Sequence, residues 1–305
     1  MSVIAFIGLG SMGLPMARNL IAKGHDVKGV DINELACAAF AKDGGRVASS
    51  AIDAARGADM LILMVVNAHQ AEQVLRQDGV LEALADDGIV CVMATCQPAA
   101  MRELHAIADK AHRGFIDAPV SGGIVGAKAG TLTIMAAADQ PCFERATPIL
   151  KAMGERLFHV GLQPGQGATV KAVNQLLCGV HIAVMAEAFS LASQSGVNLD
   201  LLLEIMSGSA ASSWMLRDRG PRMLQEDPVA TSAIDIFVKD LGIVLDAGKD
   251  VKAALPLAAA AHQMFLATSG RGDGRADDSQ VIRSYDILNG AHPPRIVSNI
   301  TTKGK

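Results

Sequence analysis

Val3-Ile4-Ala5-Phe6-Ile7-Gly8-Leu9-Gly10-Ser11-Met12-Gly13 stands at the head of the chain, and a second apolar stretch ends at Asp31. The apolar run reads as a buried strand and the glycines as the turn that follows it. Gly8 permits a tight turn off the strand, Gly10 lets the backbone come close to a phosphate, and Gly13 lets the next helix pack on the sheet. The N–H groups opening that helix have no intrahelical partner, and the helix dipole there favours an anion. Pro15 fits a helix beginning at Met12, since the fourth N–H needs no partner. An acid 18 residues beyond Gly13 completes the pattern that holds a dinucleotide, with Asp31 accepting the ribose hydroxyls. Asp31 would repel a 2′-phosphate, and Ile32 and Asn33 supply no cation for one, so NAD is expected over NADP.

The 305 residues suffice for two domains and a large core. Half of them are hydrophobic but only 3% are aromatic, which leaves the packing to alanine, leucine, valine and methionine. A net charge of −4 argues against nucleic acid or an anionic membrane as partner. No uninterrupted apolar run reaches the length of a membrane span, and a strand starting at Val3 leaves no room for a cleaved leader. Cys37, Cys91, Cys96, Cys142 and Cys178 are odd in number and scattered, which suits reduced thiols in a cytoplasmic protein and makes no metal site.

Along the first half, strands alternate with helices. Val3–Ile7, Val27–Val30, Met60–Val66, Ile89–Met93, Gly114–Asp117, Leu132–Ala136 and Arg156–Val160 read as strands. Helices fall near Met12–Lys23, Glu34–Lys42, Pro98–Ala111 and Gln140–Met153. Continuous apolar strands between helices imply a parallel sheet covered on both faces. From Gly165 an alanine-rich stretch runs without proline to about Ser195, long for a globular helix. Further helices are expected at Leu199–Met206, Ile234–Val251, Pro256–Thr268 and Asp277–Leu288, with Gly196, Gly208, Pro221, Pro228 and Gly272 as breaks. The reading is therefore α/β: a doubly wound, Rossmann-type domain over 1–162, then an all-helical domain over 163–292 led by a long interdomain helix. A polar tail covers 293–305.

Ligands of open α/β sheets bind beyond the carboxyl ends of the strands. Val65-Val66-Asn67, Ala94-Thr95-Cys96-Gln97-Pro98 and Asp117-Ala118-Pro119-Val120-Ser121-Gly122-Gly123 fall there. The last offers a hydroxyl beside two glycine N–H groups, either a small nest for a carboxylate or a plain loop. Lys171 opens the long helix, with Asn174 and Gln175 on its face at spacings of three and four. Most helical lysines are solvated, yet Val170, Ala172, Val173, Leu176 and Leu177 make this stretch largely buried, and a lysine there needs a reason. Beside a cationic nicotinamide its charged form would be disfavoured, which suits proton exchange with a hydroxyl. Lys239 and Asp240 read equally as cleft residues or as a solvated pair. Glu187 and His181 read as buried helix-packing groups, and Trp214 either walls a pocket or anchors a helix.

Over roughly residues 2–290 the chain resembles the β-hydroxyacid dehydrogenase family. The resemblance rests on Gly8-Leu9-Gly10-Ser11-Met12-Gly13, Asp117-Ala118-Pro119-Val120-Ser121-Gly122-Gly123, Gly167 with Lys171 and Asn174, and Lys239-Asp240-Leu241. It implies Lys171 as catalytic acid/base, Ser121, Gly122, Gly123 and Asn174 on the substrate, and Thr95 and Lys239 lining the cofactor site beside Val65. It also implies a helical domain that dimerises or tetramerises, and hydride transfer between NAD and a small hydroxy acid. Gln175-Leu176-Leu177-Cys178-Gly179-Val180-His181, Ser213-Trp214-Met215 and Asp277-Asp278-Ser279 resemble the family's L-threonate branch. That favours a four-carbon sugar acid such as L-threonate over 3-hydroxyisobutyrate or tartronate semialdehyde. Two positions depart: Asn174 stands where the threonate branch carries histidine, and Gln175 replaces the second asparagine of the hydroxyisobutyrate branch.

Overall fold

A computed structural model describes residues 1–290. The polar tail expected from 293 lies outside the described residues. The chain forms two compact units that divide between Ala172 and Val173. The first begins β1 (Val3–Ile7), α1 (Gly13–Ala22), β2 (Asp26–Val30), α2 (Glu34–Lys42), β3 (Arg46–Val47), α3 (Ala51–Ala55), β4 (Met60–Leu63) and α4 (Ala68–Leu75). It continues with β5 (Ile89–Val92), α5 (Pro98–Lys110), β6 (Gly114–Asp117), β7 (Val120–Ser121), α6 (Gly123–Ala129), β8 (Thr133–Ala137), α7 (Gln140–Leu150) and β9 (Arg156–Gly161).

Strands β3-β2-β1-β4-β5-β6 lie side by side and all parallel, the order of a doubly wound dinucleotide-binding sheet. The continuous apolar runs follow from burial on both faces. Ile4, Phe6, Ile62 and Cys91 pack on one side with Met16 and Leu20 of α1; Ala5, Ile7, Leu63 and Val92 pack on the other with Met101 and Leu104 of α5. The expectation of a parallel sheet fails at one edge. β7 leads through α6 back into β8, so Val120 faces Ile134 and Ser121 faces Thr133 in antiparallel register, and β8 is antiparallel to β6 as well. β4 also ends three residues before its apolar run does. Gly8 approaches Met64 so closely there that a β-carbon on Gly8 would lie 2.4 Å from the Met64 carbonyl oxygen, and the chain bends away. Asn67 then caps α4, its side chain accepting from the Gln70 N–H at 2.9 Å.

The long helix α8 (Gln166–Gln194) runs 29 residues and contains the division between the units. It is long and apolar enough, by length and composition, to cross a membrane, which corrects the expectation that no stretch qualifies. That expectation counted unbroken apolar residues, whereas here Lys171, Asn174, Gln175 and Glu187 are spread thinly among alanines and valines. Of its most apolar window 44% is buried inside the protein.

The second unit continues with α9 (Leu199–Gly208), α10 (Trp214–Met223), α11 (Ile234–Asp250) and α12 (Pro256–Thr268). A 3₁₀ turn, Asp278–Val281, then leads into α13 (Ile282–Leu288). α10 is absent from the sequence reading because Pro221 was taken as a break. Pro221 lies near the end of α10, where its missing N–H forfeits only one helical bond. The 3₁₀ turn is fully buried despite its polar sequence, and Arg219 of α10 grips Asp278 with two bonds, at 2.8 and 3.0 Å. Burial pushes the Asp278 carboxyl up to about 6, with Arg219 pulling the other way.

Candidate active site

The segments singled out at the carboxyl ends of the parallel strands follow β1, β2, β4, β5 and β6, and so line one edge of the sheet. Gly8 has φ +97°, a region that favours glycine, and its N–H donates to the Val30 carbonyl at 2.9 Å. A β-carbon on Gly13 would lie 1.8 Å from the Gly8 carbonyl oxygen, so α1 can start here only with glycine. At Gly10 a β-carbon would meet nothing within 4 Å and would stand in the open floor of the cradle. Between these glycines Leu9 is buried in the core and Met12 packs against it, while Ser11 is exposed.

Asp31 does more than the sequence reading gave it. Its Oδ2 accepts from the Leu9 N–H at 2.6 Å and its Oδ1 from the Asn33 N–H at 2.8 Å, so it clamps the glycine turn to the end of β2. A carboxylate has about four acceptor positions, leaving capacity for ribose hydroxyls. The two residues that follow supply no cation: Ile32 is 99% exposed and Asn33 uses its side chain to cap α2. These residues therefore fit a dinucleotide, which supplies a hydride acceptor at its nicotinamide ring when bound. Val65 and Thr95 lie half-buried in the turns after β4 and β5.

After β6, Gly122 and Gly123 both take positive φ, +127° and +60°. They turn the chain from Ser121 into α6. Asp117, quoted in this motif but given no role by the sequence reading, is fully buried. Its Oδ2 accepts from the N–H groups of Gly165 at 3.0 Å and Ala168 at 2.9 Å, across the start of α8. Burial pushes the Asp117 carboxyl up to about 6 against the opposing pull of those N–H groups. Gly167 makes the approach possible, since a β-carbon there would lie 2.6 Å from the carbonyl oxygens of both Asp117 and Met135. Lys171 follows one turn later and is 7% exposed, the only lysine among the buried described residues.

In the second unit Lys239 and Asp240 form an ion pair, Nζ to Oδ1 at 2.8 Å, and Asp240 is buried rather than solvated. Gln175 donates from Nε2 to Asp240 Oδ2 at 2.5 Å, and Asn174 donates from Nδ2 to Gln175 Oε1 at 2.8 Å. The sequence reading placed Gln175 on the Lys171 face and left Asp240 open between cleft and solvent, but gave no sign that the two are bonded to each other. One expectation fails. Glu187 is exposed rather than buried, although Tyr285 bonds to it, and burial with that pairing pushes the Tyr285 hydroxyl up to about 12. Trp214, read as either a pocket wall or a helix anchor, is 59% exposed at the start of α10. Cys96 is buried, and among the described residues no group of three His, Cys, Asp or Glu side chains is placed to hold a metal.

Residues 3–161 match the family model described as the NAD-binding domain of 6-phosphogluconate dehydrogenase. Residues 165–285 match the model described as NAD-binding of NADP-dependent 3-hydroxyisobutyrate dehydrogenase. The chain belongs to the β-hydroxyacid dehydrogenase family. It is an NAD-dependent hydroxyacid dehydrogenase. L-Threonate dehydrogenase of Escherichia coli is 39% identical over 92% of this enzyme and 94% of that protein. 3-Sulfolactaldehyde reductase of E. coli is 35% identical over 95% and 98%. Among solved structures, one described as 3-hydroxyisobutyrate dehydrogenase from Salmonella typhimurium is 40% identical, with a TM-score of 0.85, covering 92% of this enzyme and 98% of that chain.

Proposed function

We propose that the enzyme oxidises a four-carbon sugar acid, L-threonate, with NAD. The observation that carries the reaction type is the buried Lys171 one helical turn beyond the Asp117-capped start of α8. Burying a lysine side chain is costly, and a chain keeps one where the group does chemistry. In this reading Ser121, Gly122 and Gly123 hold the substrate carboxylate. Asn174, one turn from Lys171 on α8, bonds a substrate hydroxyl. Lys171, as the neutral amine, takes the hydroxyl proton as the carbon gives its hydride to NAD, so a hydride (two electrons and a proton) and a second proton leave the alcohol and a carbonyl forms. Gly8, Leu9, Gly10, Ser11, Met12, Gly13, Asp31, Val65, Thr95 and Lys239 serve the cofactor. Asp31, followed by two residues that supply no cation, supports NAD over NADP.

The substrate assignment draws on the L-threonate dehydrogenases at 39% identity. Run in reverse, the same groups would reduce a short aldehyde acid such as tartronate semialdehyde. Following NADH absorbance at alkaline pH with L-threonate, 3-hydroxyisobutyrate and D-glycerate discriminates, and the reverse assay uses tartronate semialdehyde with NADH. Lys171→Ala should lower kcat by orders of magnitude with folding and NAD affinity intact; wild-type turnover in that variant refutes the role. For assembly we propose a homo-oligomer built on α8, where Val173, Leu177, Val184 and Leu191 are exposed at spacings of four, seven and seven.

A further inference from the structure

The four polar groups at 174, 175, 239 and 240 form a chain whose hydrogen-bond direction is dictated from one end. Asp240 is 2% exposed and carries the Lys239 ammonium 2.8 Å from Oδ1. A carboxylate so paired offers only acceptors, so the face of Gln175 turned toward Asp240 Oδ2 has to be its NH₂. A carboxamide that donates at one end accepts at the other. Gln175 Oε1 therefore faces Asn174, which has to meet it with Nδ2, and the same Nδ2 also reaches Cys178 Sγ at 3.6 Å. With its NH₂ committed along α8, Asn174 has one group to offer a ligand: the carbonyl oxygen, an acceptor. Without Asp240 and Gln175 the amide could turn over and present a donor with nearly the same shape.

We propose that Asp240 and Gln175 are positioning residues that lock the polarity of Asn174, so that this point of the site receives a hydroxyl and rejects a carbonyl or carboxylate. The proposal rests on the reading above that Asn174 faces the substrate. It gives the site a means of preferring hydroxyl-rich acids. A site built around a fixed acceptor is penalised when no donor arrives, because the acceptor stays unpaired.

The experiment is a double-mutant cycle on the full-length enzyme, run with whichever acid of the panel it oxidises. Gln175→Met keeps the length of the side chain and removes the relay. It should lower kcat/KM about tenfold, mostly through KM, with NADH affinity unchanged by fluorescence titration. In an Asn174→Ala background the same substitution should change kcat/KM by less than about twofold, because the group it acts through is gone. An equal loss in both backgrounds means that Gln175 acts on the fold and overturns the proposal. So does an Asn174→Ala enzyme with wild-type kcat/KM, which would leave the role of Lys171 standing. Asp240→Asn, which keeps the shape but lets the chain run either way, is the second route should Gln175→Met fail to fold. Its loss should likewise vanish in the Asn174→Ala background, and persistence of that loss counts against the proposal. No turnover with any acid of the panel, by contrast, defeats the reaction assignment itself.

Discussion

Replacing Asp117 with asparagine removes one ionisable proton from the interior with almost no change of volume. The carboxyl is raised from 3.8 to about 6 by burial. The native protein thus holds a proton here that the unfolded chain has released. Stability contributed by this group is fully present below the unfolded value and is lost as pH rises through the folded value. Two pH units at about 1.4 kcal/mol each amount to roughly 3 kcal/mol. Between about pH 4 and pH 7 the wild type should therefore lose roughly 3 kcal/mol that Asp117→Asn keeps. The assay is urea denaturation across that range, comparing unfolding free energies of the two proteins at each pH. A difference that stays flat from pH 4 to pH 7 would falsify the account of Asp117 as a carboxyl held against its desolvation.

Gly13→Ala places a β-carbon against the Gly8 carbonyl oxygen, a backbone atom that cannot swing aside. It should cost about 1–3 kcal/mol of stability and weaken NADH binding at least about tenfold, read by thermal unfolding and fluorescence titration. Asp31→Arg removes the acceptor for the Leu9 and Asn33 N–H groups and supplies a cation for a 2′-phosphate. The ratio of kcat/KM for NAD to that for NADP should fall, and an unchanged ratio refutes the assignment of Asp31. Arg219→Met leaves the fully buried Asp278 without its partner and should cost roughly 3–5 kcal/mol at neutral pH. The loss should shrink below about pH 6, where Asp278 takes up a proton, and a loss independent of pH counts against this. Leu177→Glu with Val184→Glu should shift the enzyme to a smaller species in light scattering coupled to size exclusion.

Much of this was legible in the sequence where the constraint is local. Gly8 and Gly13 announce themselves because no other residue satisfies the backbone there, and α8 shows as a proline-free stretch opened by Gly165 and Gly167. Met60–Val66 misled because hydropathy does not record where a strand bends. Pro221 misled because a proline near the end of a helix looks the same as one that stops it. Asp117 was in plain view inside a quoted motif, but its partners lie 48 and 51 residues further on. Nothing in the intervening pattern reveals that pairing. The bond between Gln175 and Asp240 was hidden for the same reason, the two being 65 residues apart.

The bond from Asp117 to the head of α8 bears on any attempt to re-engineer this enzyme. A designer who transplants the stretch from Asp117 to Gly123 from another scaffold, hoping to import its appetite for a different acid, also imports whatever stands at 117. Unless that residue is an aspartate, and unless the recipient retains Gly167, the rod carrying Lys171 loses its moorings while the new loop looks perfectly seated. Cassettes for swapping should therefore pair residues 117–123 with 165–175.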